Sequence, residues 1–222
     1  MNAYRYQERQ YNELLIAEGN IKIGTLHDFR RQEHKRGIAD SDEGKKIISY
    51  YVENFDSNNP HSVRAQTDVR ALTKFNLLHN PDNKALRNVK VSNVMMHKVL
   101  LADDCFVLCT SKVRSKSTMA QFEGADSCVQ IINPRRFYGA VTSVLNARVP
   151  VEFHGVREVI YQDREEVWNG SDWGRHPSVI KARHFYAQAE LRAIWVPRTL
   201  PIQPEILIDD RLVGLCEFVD VA

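Results

Sequence analysis

The sequence lacks the features of membrane-spanning, secreted and metal-binding chains. No run of apolar residues has the length that a helix needs to cross a bilayer, and the first ten residues (M-N-A-Y-R-Y-Q-E-R-Q) contain no apolar segment of a secretory signal. The four cysteines show no C-x-x-C spacing and have no nearby pair of histidines. We therefore expect a cytoplasmic protein that contacts no membrane, holds no metal, and keeps Cys105, Cys109, Cys128 and Cys216 as reduced, mostly buried thiols.

An excess of charge of one sign is also lacking. The formal net charge is +2, which neither requires nor excludes a nucleic-acid partner. Hydrophobic residues make up 43% and charged residues 26% of the chain, which is ordinary for a globular protein with one substantial core. At 222 residues, the chain fits one large domain, and we predict a single domain over 1–222.

The pattern of apolar residues contains no internal repeat and no glycine-rich phosphate loop. Strands are predicted at 3–6, 20–26, 47–53, 89–101, 104–110, 127–132, 150–161, 191–196, 205–208 and 213–219. Helices are predicted at 7–18, around 69–78, briefly after Ser115, and from an Asn133 N-cap with Pro134 at N1 to about Asn146. Strands outnumber helices and do not alternate with them strictly. The expected class is therefore α+β with a largely antiparallel sheet.

Two long polar segments interrupt these elements. Residues 30–46 are almost wholly charged or small, and 54–88 form a polar excursion from the core. Segments of this kind are usually lids or binding loops, so we expect both at the rim of a cleft and more mobile than the core. Asp40, Asp42 and Glu43 in the first segment lack the spacing of a calcium loop, so solvated side chains are favoured over a metal site.

Three short motifs contain residue types that suit ligand binding, although each also has a purely structural interpretation. In Tyr4-Arg5-Tyr6, an arginine that binds phosphate or carboxylate lies between two rings that can stack on a ligand, or else the arginine is simply exposed on an edge strand. Thr110 and Ser111 follow the apolar residues of a buried strand, where their hydroxyls either reach a ligand or cap the next turn.

The third motif is Gln188-Ala189-Glu190, which enters the apolar strand L-R-A-I-W-V. Strand alternation predicts that Gln188 and Glu190 share one face. A carboxylate in that position suits the stabilisation of a developing cation. The alternative is a structural salt bridge from Glu190 to Arg192 or Lys181.

Together the three motifs resemble the arginine–serine–glutamate class of mono-ADP-ribosyltransferases. The resemblance implies an antiparallel split sheet with flanking helices and a cleft that binds NAD as co-substrate. It implies that Arg5, Thr110 and Ser111 hold NAD, that Glu190 stabilises the oxocarbenium ion formed as nicotinamide leaves, and that Gln188 orients the acceptor. The family has a helix after its first strand and a G-x-I-like turn after that helix. Here helix 7–18 and the following G-N-I-K-I-G match these two features.

The chain is also similar to an uncharacterised bacterial family with an N-terminal Y-R-Y, a central C-F-S-like strand end and a late K…E-x-E-x-R segment. Here these are 4–6, 107–111 and 181–192. Cys109 stands where the transferase pattern has serine. Tyr4 or Tyr6 could equally take the role of Arg5, and Phe29 either stacks on a ring of NAD or belongs to the core.

These resemblances imply an NAD-dependent ADP-ribosyltransferase with a macromolecular acceptor. The Q-x-E form resembles members that act on amide side chains or nucleobases, and clusters such as Arg30, Arg31, Lys35 and Arg36 suit RNA or DNA, while a protein acceptor stays open. They further imply a toxin held in check by an antitoxin and used against phage. The alternatives are a non-catalytic module that binds or senses a nucleotide, and an NAD glycohydrolase.

Overall fold

A computed structural model describes residues 2–31, 35, 37–59, 62–78 and 87–221. The chain forms two compact units: the first comprises 1–44, 102–163 and 177–222, and the second 45–101 and 164–176. The strands are β1 (Tyr4–Gln7), β2 (Asn20–Thr25), β3 (Lys45–Asp56), β4 (Lys90–Leu101), β5 (Phe106–Ser111), β6 (Ser127–Ile131), β7 (Val151–Glu158), β8 (Ile160–Tyr161), β9 (Glu165–Val167), β10 (Ile180–Lys181), β11 (Glu190–Pro197), β12 (Glu205–Ile208) and β13 (Cys216–Phe218). The helices are α1 (Arg9–Glu18), α2 (Val63–Lys74), α3 (Lys116–Met119) and α4 (Pro134–Asn146).

The main sheet of the first unit is antiparallel and divides at the middle of β5. On one edge, β11 pairs with the whole of β5 and also with β7. On the other edge, β5 pairs with β2 at Val107 and with β1 only at Ser111. Beyond these pairs, β12 adds to β2, while β6 and then β13 add to β1. The expected α+β class with mostly antiparallel strands is confirmed, and among the described residues the parallel pairs are β8 with β10 and β3 with β9.

Two helices cover the core of the first unit. Helix α4 begins where predicted, because the Asn133 side chain accepts a hydrogen bond from Arg136 N and Pro134 occupies the first turn. Phe137 of α4 and Leu15 of α1 are fully buried in the same apolar cluster as Trp195. Burial of a large apolar side chain contributes about 1.5–3 kcal/mol, so this cluster holds α1 and α4 against the strands.

The second unit has its own sheet and its own core. Strand β3 lies between β4 and β9. Its core contains Ile48, Val52, Leu72 and Trp168. Helix α2 starts earlier than predicted because the Ser62 hydroxyl accepts a hydrogen bond from Ala65 N at 3.0 Å.

The predicted polar excursion at 54–88 falls in this second unit and contains the end of β3 and all of α2. Residues 60, 61 and 79–86 of it lie outside the described residues. The expectation of a single domain over 1–222 stays a prediction. In the part of the chain that the structure describes, no helix combines the length and the apolar character needed to span a membrane.

Candidate functional site

A cavity of about 210 Å³ lies in the first unit, beside the place where β1 and β2 part from β5. Seven of the predicted site residues line it: Tyr4, Arg5, Tyr6, Phe29, Thr110, Ser111 and Glu190. Gly37, Ile38 and Glu43 also line it, so part of the polar 30–46 segment reaches the cleft as expected, whereas no described residue of 54–88 lines it, contrary to expectation. His34 and Arg36 of that segment lie outside the described residues.

Strand register places three of these residues in one row. Tyr4 lies opposite Ser111, and Ser111 lies opposite Glu190. Because paired residues of an antiparallel sheet share a face, these three side chains belong to the same face. Arg5 belongs to the opposite face, where its register partner Val129 is fully buried in the core.

Arg5 lies in the split between the strands, against α1. Its Nη1 donates to Asn12 Oδ1 at 3.3 Å, and the side chain makes no ion pair with a carboxylate of the described residues. Burial lowers the pKa of the Arg5 guanidinium to about 10. A buried charge without a counter-ion is costly, which makes this position suited to an anionic ligand.

A second cavity, of about 490 Å³, continues the first. Both have Arg5, Tyr6, Gln7, Lys22, Ile38 and Phe122 in their walls. Gln7 Oε1 is buried and accepts no hydrogen bond from the described residues. Arg5 and Gln7, two positions apart on one face of β1, therefore offer a donor group and an acceptor atom where the cavities meet.

The hydroxyl groups of Tyr4 and Tyr6 differ in their hydrogen bonds. The Tyr6 hydroxyl donates to Val113 O at 2.7 Å and accepts from Ser115 N at 2.9 Å, and its ring stacks on Phe122. Tyr4 is only 8% exposed, and its hydroxyl makes no hydrogen bond with the described residues. Tyr4 is thus the one of the two whose hydroxyl is available to a ligand.

Phe29 depends on a glycine beneath its ring. A Cβ placed on Gly24 would lie 2.9 Å from Phe29 Cζ, closer than such atoms approach in folded proteins. The Phe29 ring can therefore take this position in the cavity wall only because position 24 has no side chain.

The hydroxyls of Thr110 and Ser111 point in different directions. Thr110 Oγ1 lies 3.4 Å from the Tyr138 hydroxyl, on the core side of β5. Ser111 Oγ lies on the cavity side, where it accepts from Val113 N and donates to Val113 O, both at 3.1 Å, and so closes a local turn. Ser111 alone of the pair presents its hydroxyl on the face that carries Glu190.

Glu190 is held by two cations. Arg192 Nε donates to its Oε1 at 2.6 Å, and Lys181 Nζ donates to its Oε2 at 2.8 Å. Burial alone would raise the pKa of Glu190, but the charges of Arg192 and Lys181 outweigh that effect and hold the pKa well below its usual range. The salt bridges considered as an alternative from the sequence are therefore present, and Glu190 is ionised throughout the physiological pH range.

The thiol of Cys109 shares this environment. Cys109 lines the cavity at the register position opposite Arg192. Burial and the charge of Glu190 raise the pKa of Cys109 well above its ordinary value, although Arg192 and Lys181 act in the opposite direction. The thiol is therefore protonated and chemically quiet at neutral pH.

Gln188 does not lie on a strand face beside Glu190, so the expected alternation is wrong. Residues Arg183–Gln188 form a 3-10 helix, and Ala189 has left-handed φ and ψ of 45° and 48°, so β11 begins only at Glu190. Gln188 is 1% exposed, accepts from Lys181 Nζ at 2.9 Å and donates to Gly37 O at 2.8 Å. Its amide holds the wall of the cavity together and is not presented to an acceptor in this arrangement.

The sequence interpretation missed Glu43 as a member of this site. It was expected to be solvated, but it is 1% exposed and both its oxygens accept from Arg192, at 2.8 and 2.9 Å. Asp40 is buried as well. Among the described residues, no group of three His, Cys, Asp or Glu side chains is placed to hold a metal ion.

Comparisons with known proteins returned no match: no protein-family model fits the chain, and no curated protein or solved structure is significantly similar to it.

Proposed function

We propose that the two joined cavities of the first unit bind NAD and that the protein transfers ADP-ribose from it to a macromolecular acceptor. The observation that carries the proposal is Arg5, a buried guanidinium without a carboxylate partner in the described chain, where the two cavities meet. NAD has two ring systems joined by an anionic pyrophosphate. A cation between two cavities suits that ligand, and the smaller cavity alone would not hold it.

The row of Tyr4, Ser111 and Glu190 supports the transferase chemistry. The same cavity is also lined by Arg5, which lies on the first strand. An arginine, a serine and a glutamate from three strands of a split antiparallel sheet therefore line one cleft. This is the arrangement that the resemblance to the arginine–serine–glutamate transferases implies. The ADP-ribosyltransferase fold is part of the proposal.

Glu190 would act on the bond between the ribose and nicotinamide. That bond breaks with its electron pair going to nicotinamide, and positive charge develops on the anomeric carbon that the ionised carboxylate stabilises. The acceptor then bonds to this carbon and loses a proton. A carboxylate has about four lone-pair sites, and the two hydrogen bonds from Arg192 and Lys181 leave room for one from a ribose hydroxyl.

The acceptor class is proposed from the sequence alone. RNA, DNA and protein remain the candidates, and the setting we propose is a toxin of phage defence held in check by an antitoxin in the cytoplasm. Because Gln188 is buried and bonded at both ends of its amide, its proposed role in orienting the acceptor requires the Arg183–Gln188 segment to rearrange.

The second candidate function is a non-catalytic nucleotide-binding module. The observation that favours it is the pairing of Glu190 with two cations at once, which reduces the net negative charge that a developing cation would meet. Both functions need a nucleotide to bind in the cleft, and only the first needs nicotinamide to leave NAD.

One experiment separates these functions. Purified protein is mixed with NAD labelled in the adenylate half, in the presence of separate protein, RNA and DNA pools, while calorimetry measures NAD binding. Label in one pool together with released nicotinamide supports transfer. Nicotinamide release without incorporation indicates a glycohydrolase, binding without release indicates the non-catalytic module, and no binding contradicts the proposal.

A further inference from the structure

Glu43 lies far in sequence from Lys181, Glu190 and Arg192, but its carboxylate pairs with Arg192. Its two carboxylate oxygens accept from Arg192 Nη1 and Nη2 at 2.8 and 2.9 Å. Arg192 Nη1 also donates to Ser178 O at 2.7 Å. Both terminal nitrogens of Arg192 are therefore engaged, and its Nε is the atom that donates to Glu190.

The contact between Glu43 and Arg192 changes the net charge of the cavity wall. Lys181 and Arg192 both donate to Glu190, so these three groups alone would carry one net positive charge. Glu43 supplies the second carboxylate and makes the buried cluster neutral. A cavity wall with net positive charge would oppose any cation that forms beside it, and inside a protein such opposition is weakly screened.

We propose that Glu43 is a positioning residue that balances Arg192 and so leaves the negative charge of Glu190 available to a ligand in the cavity. The consequence for transfer rests on the proposed function, but the charge balance itself does not. A purely structural ion pair would stabilise the fold without setting the potential in the cavity, and this is the difference to be tested.

The test uses three variants of the full chain: Glu43→Gln, Lys181→Met and the double variant. Glu43→Gln makes the cluster more positive, Lys181→Met makes it more negative, and the double variant restores neutrality. Both replacements keep nearly the size of the original side chain. Glu158→Gln serves as the matched control, because it removes a carboxylate from an exposed pair with Lys112 in the same unit.

The thiol of Cys109 reports the potential without requiring any activity. Because this thiol is protonated at neutral pH, its alkylation by iodoacetamide, an uncharged reagent, is followed at mildly alkaline pH by mass spectrometry of the peptide that contains it. Lys181 and Arg192 both lower the pKa of Cys109, and loss of Glu43 leaves the charge of Arg192 without that partner. We therefore expect Glu43→Gln to speed alkylation by about threefold or more and Lys181→Met to slow it comparably. The double variant should return to the wild-type rate, and Glu158→Gln should not differ from it.

Nicotinamide release on the same proteins tests the consequence for transfer. We expect Glu43→Gln to lower it about 10²-fold and the double variant to recover most of that loss. A fall in melting temperature with unchanged Cys109 alkylation, or acceleration in all three variants, would overturn the proposal. Absence of nicotinamide release from the wild type would refute the proposed function, while the alkylation rates would still decide the role of Glu43.

Discussion

Ser111 lies directly opposite Glu190 in the register of β5 and β11, and the two side chains therefore share the face that lines the cavity. On the other edge of β5, the residue paired with Ser111 is Tyr4 and not Arg5. The first strand thus contributes two different groups to the cleft. Tyr4 offers a hydroxyl on the face of Ser111 and Glu190, and Arg5 offers a cation from the opposite face, within the split of the sheet.

The Tyr4 hydroxyl should matter for ligand binding and not for folding. Because it makes no hydrogen bond with the described residues, Tyr4→Phe is expected to change the free energy of unfolding by less than about 0.5 kcal/mol. Loss of one hydrogen bond to a ligand corresponds to about 0.5–1.5 kcal/mol, so NAD affinity should fall about 2- to 12-fold. Calorimetry and denaturant unfolding on the same protein provide both numbers.

Tyr6→Phe is the matched control, with the opposite expectation. The Tyr6 hydroxyl bonds to Val113 O and Ser115 N, so its removal should cost about 1–2 kcal/mol of stability. If Tyr4→Phe is the destabilised variant and binds NAD normally, the assignment of the free hydroxyl is wrong.

Glu190→Gln should lower both stability and turnover. Removing one partner of a buried ion pair costs about 3 kcal/mol or more, and Glu190 has two such partners. Nicotinamide release per folded molecule should fall by about 10²-fold or more, whereas NAD affinity should change little, because the charge acts mainly on the developing cation. Wild-type release per folded molecule would show that Glu190 serves only the ion pairs.

The same carboxylate predicts a pH dependence of stability. The pKa of Glu190 is lower in the folded protein than its ordinary value of 4.5, so its ion pairs stabilise the fold above about pH 4.5 and lose that effect as the pH falls further. The difference in melting temperature between wild type and Glu190→Gln should therefore be constant from pH 6 to 8 and shrink progressively below about pH 4.5. A difference that persists unchanged in acid would contradict the lowered pKa.

Features with local signals were predictable from the sequence. The Asn133-Pro134 pair marked the start of α4 at the residue where the structure has it, and the strand predicted at 205–208 is β12. Strand alternation puts neighbours such as Tyr4 and Arg5 on opposite faces of β1. It did not tell which face carries Ser111, because that depends on strand pairing between residues far apart in the chain.

Two features of the cleft had no local signal. Ala189 adopts left-handed backbone angles, and neither glycine nor asparagine marks the position, so Gln188 was wrongly continued into the strand. Glu43 follows two aspartates in a turn-like segment, a context typical of solvated acids. Its burial depends on Arg192, and an ion pair between such distant residues is set by the tertiary fold.

The wall formed by Phe29 can be disturbed without touching a charged group. A methyl group at position 24 would displace the Phe29 ring, so Gly24→Ala should cost about 1–3 kcal/mol of stability and weaken NAD binding. Gly139→Ala is the control, since the space around Gly139 in α4 is open and alanine there should add about 0.5–1 kcal/mol. Equal NAD affinity in both variants would mean that Phe29 does not contact the ligand.

Arg5→Met should separate ligand binding from stability most clearly. The guanidinium is buried, has one hydrogen bond of 3.3 Å to Asn12 and no carboxylate partner among the described residues. An apolar side chain of similar length removes the cost of burying that charge, so the variant should be as stable as the wild type or more stable.

The affinity of Arg5→Met for NAD and for ADP-ribose should fall by at least about tenfold, since a hydrogen bond to a charged group contributes about 1.5–3 kcal/mol. Arg9→Met is the matched control, because Arg9 is exposed on α1, where it pairs with Glu13 at 3.8 Å and lies over the Phe218 ring. Inorganic pyrophosphate should protect the wild type against thermal unfolding and should fail to protect Arg5→Met. Equal protection of both proteins would show that the anion binds elsewhere, and a marked loss of stability in Arg5→Met would show that Arg5 belongs to the fold and not to the ligand.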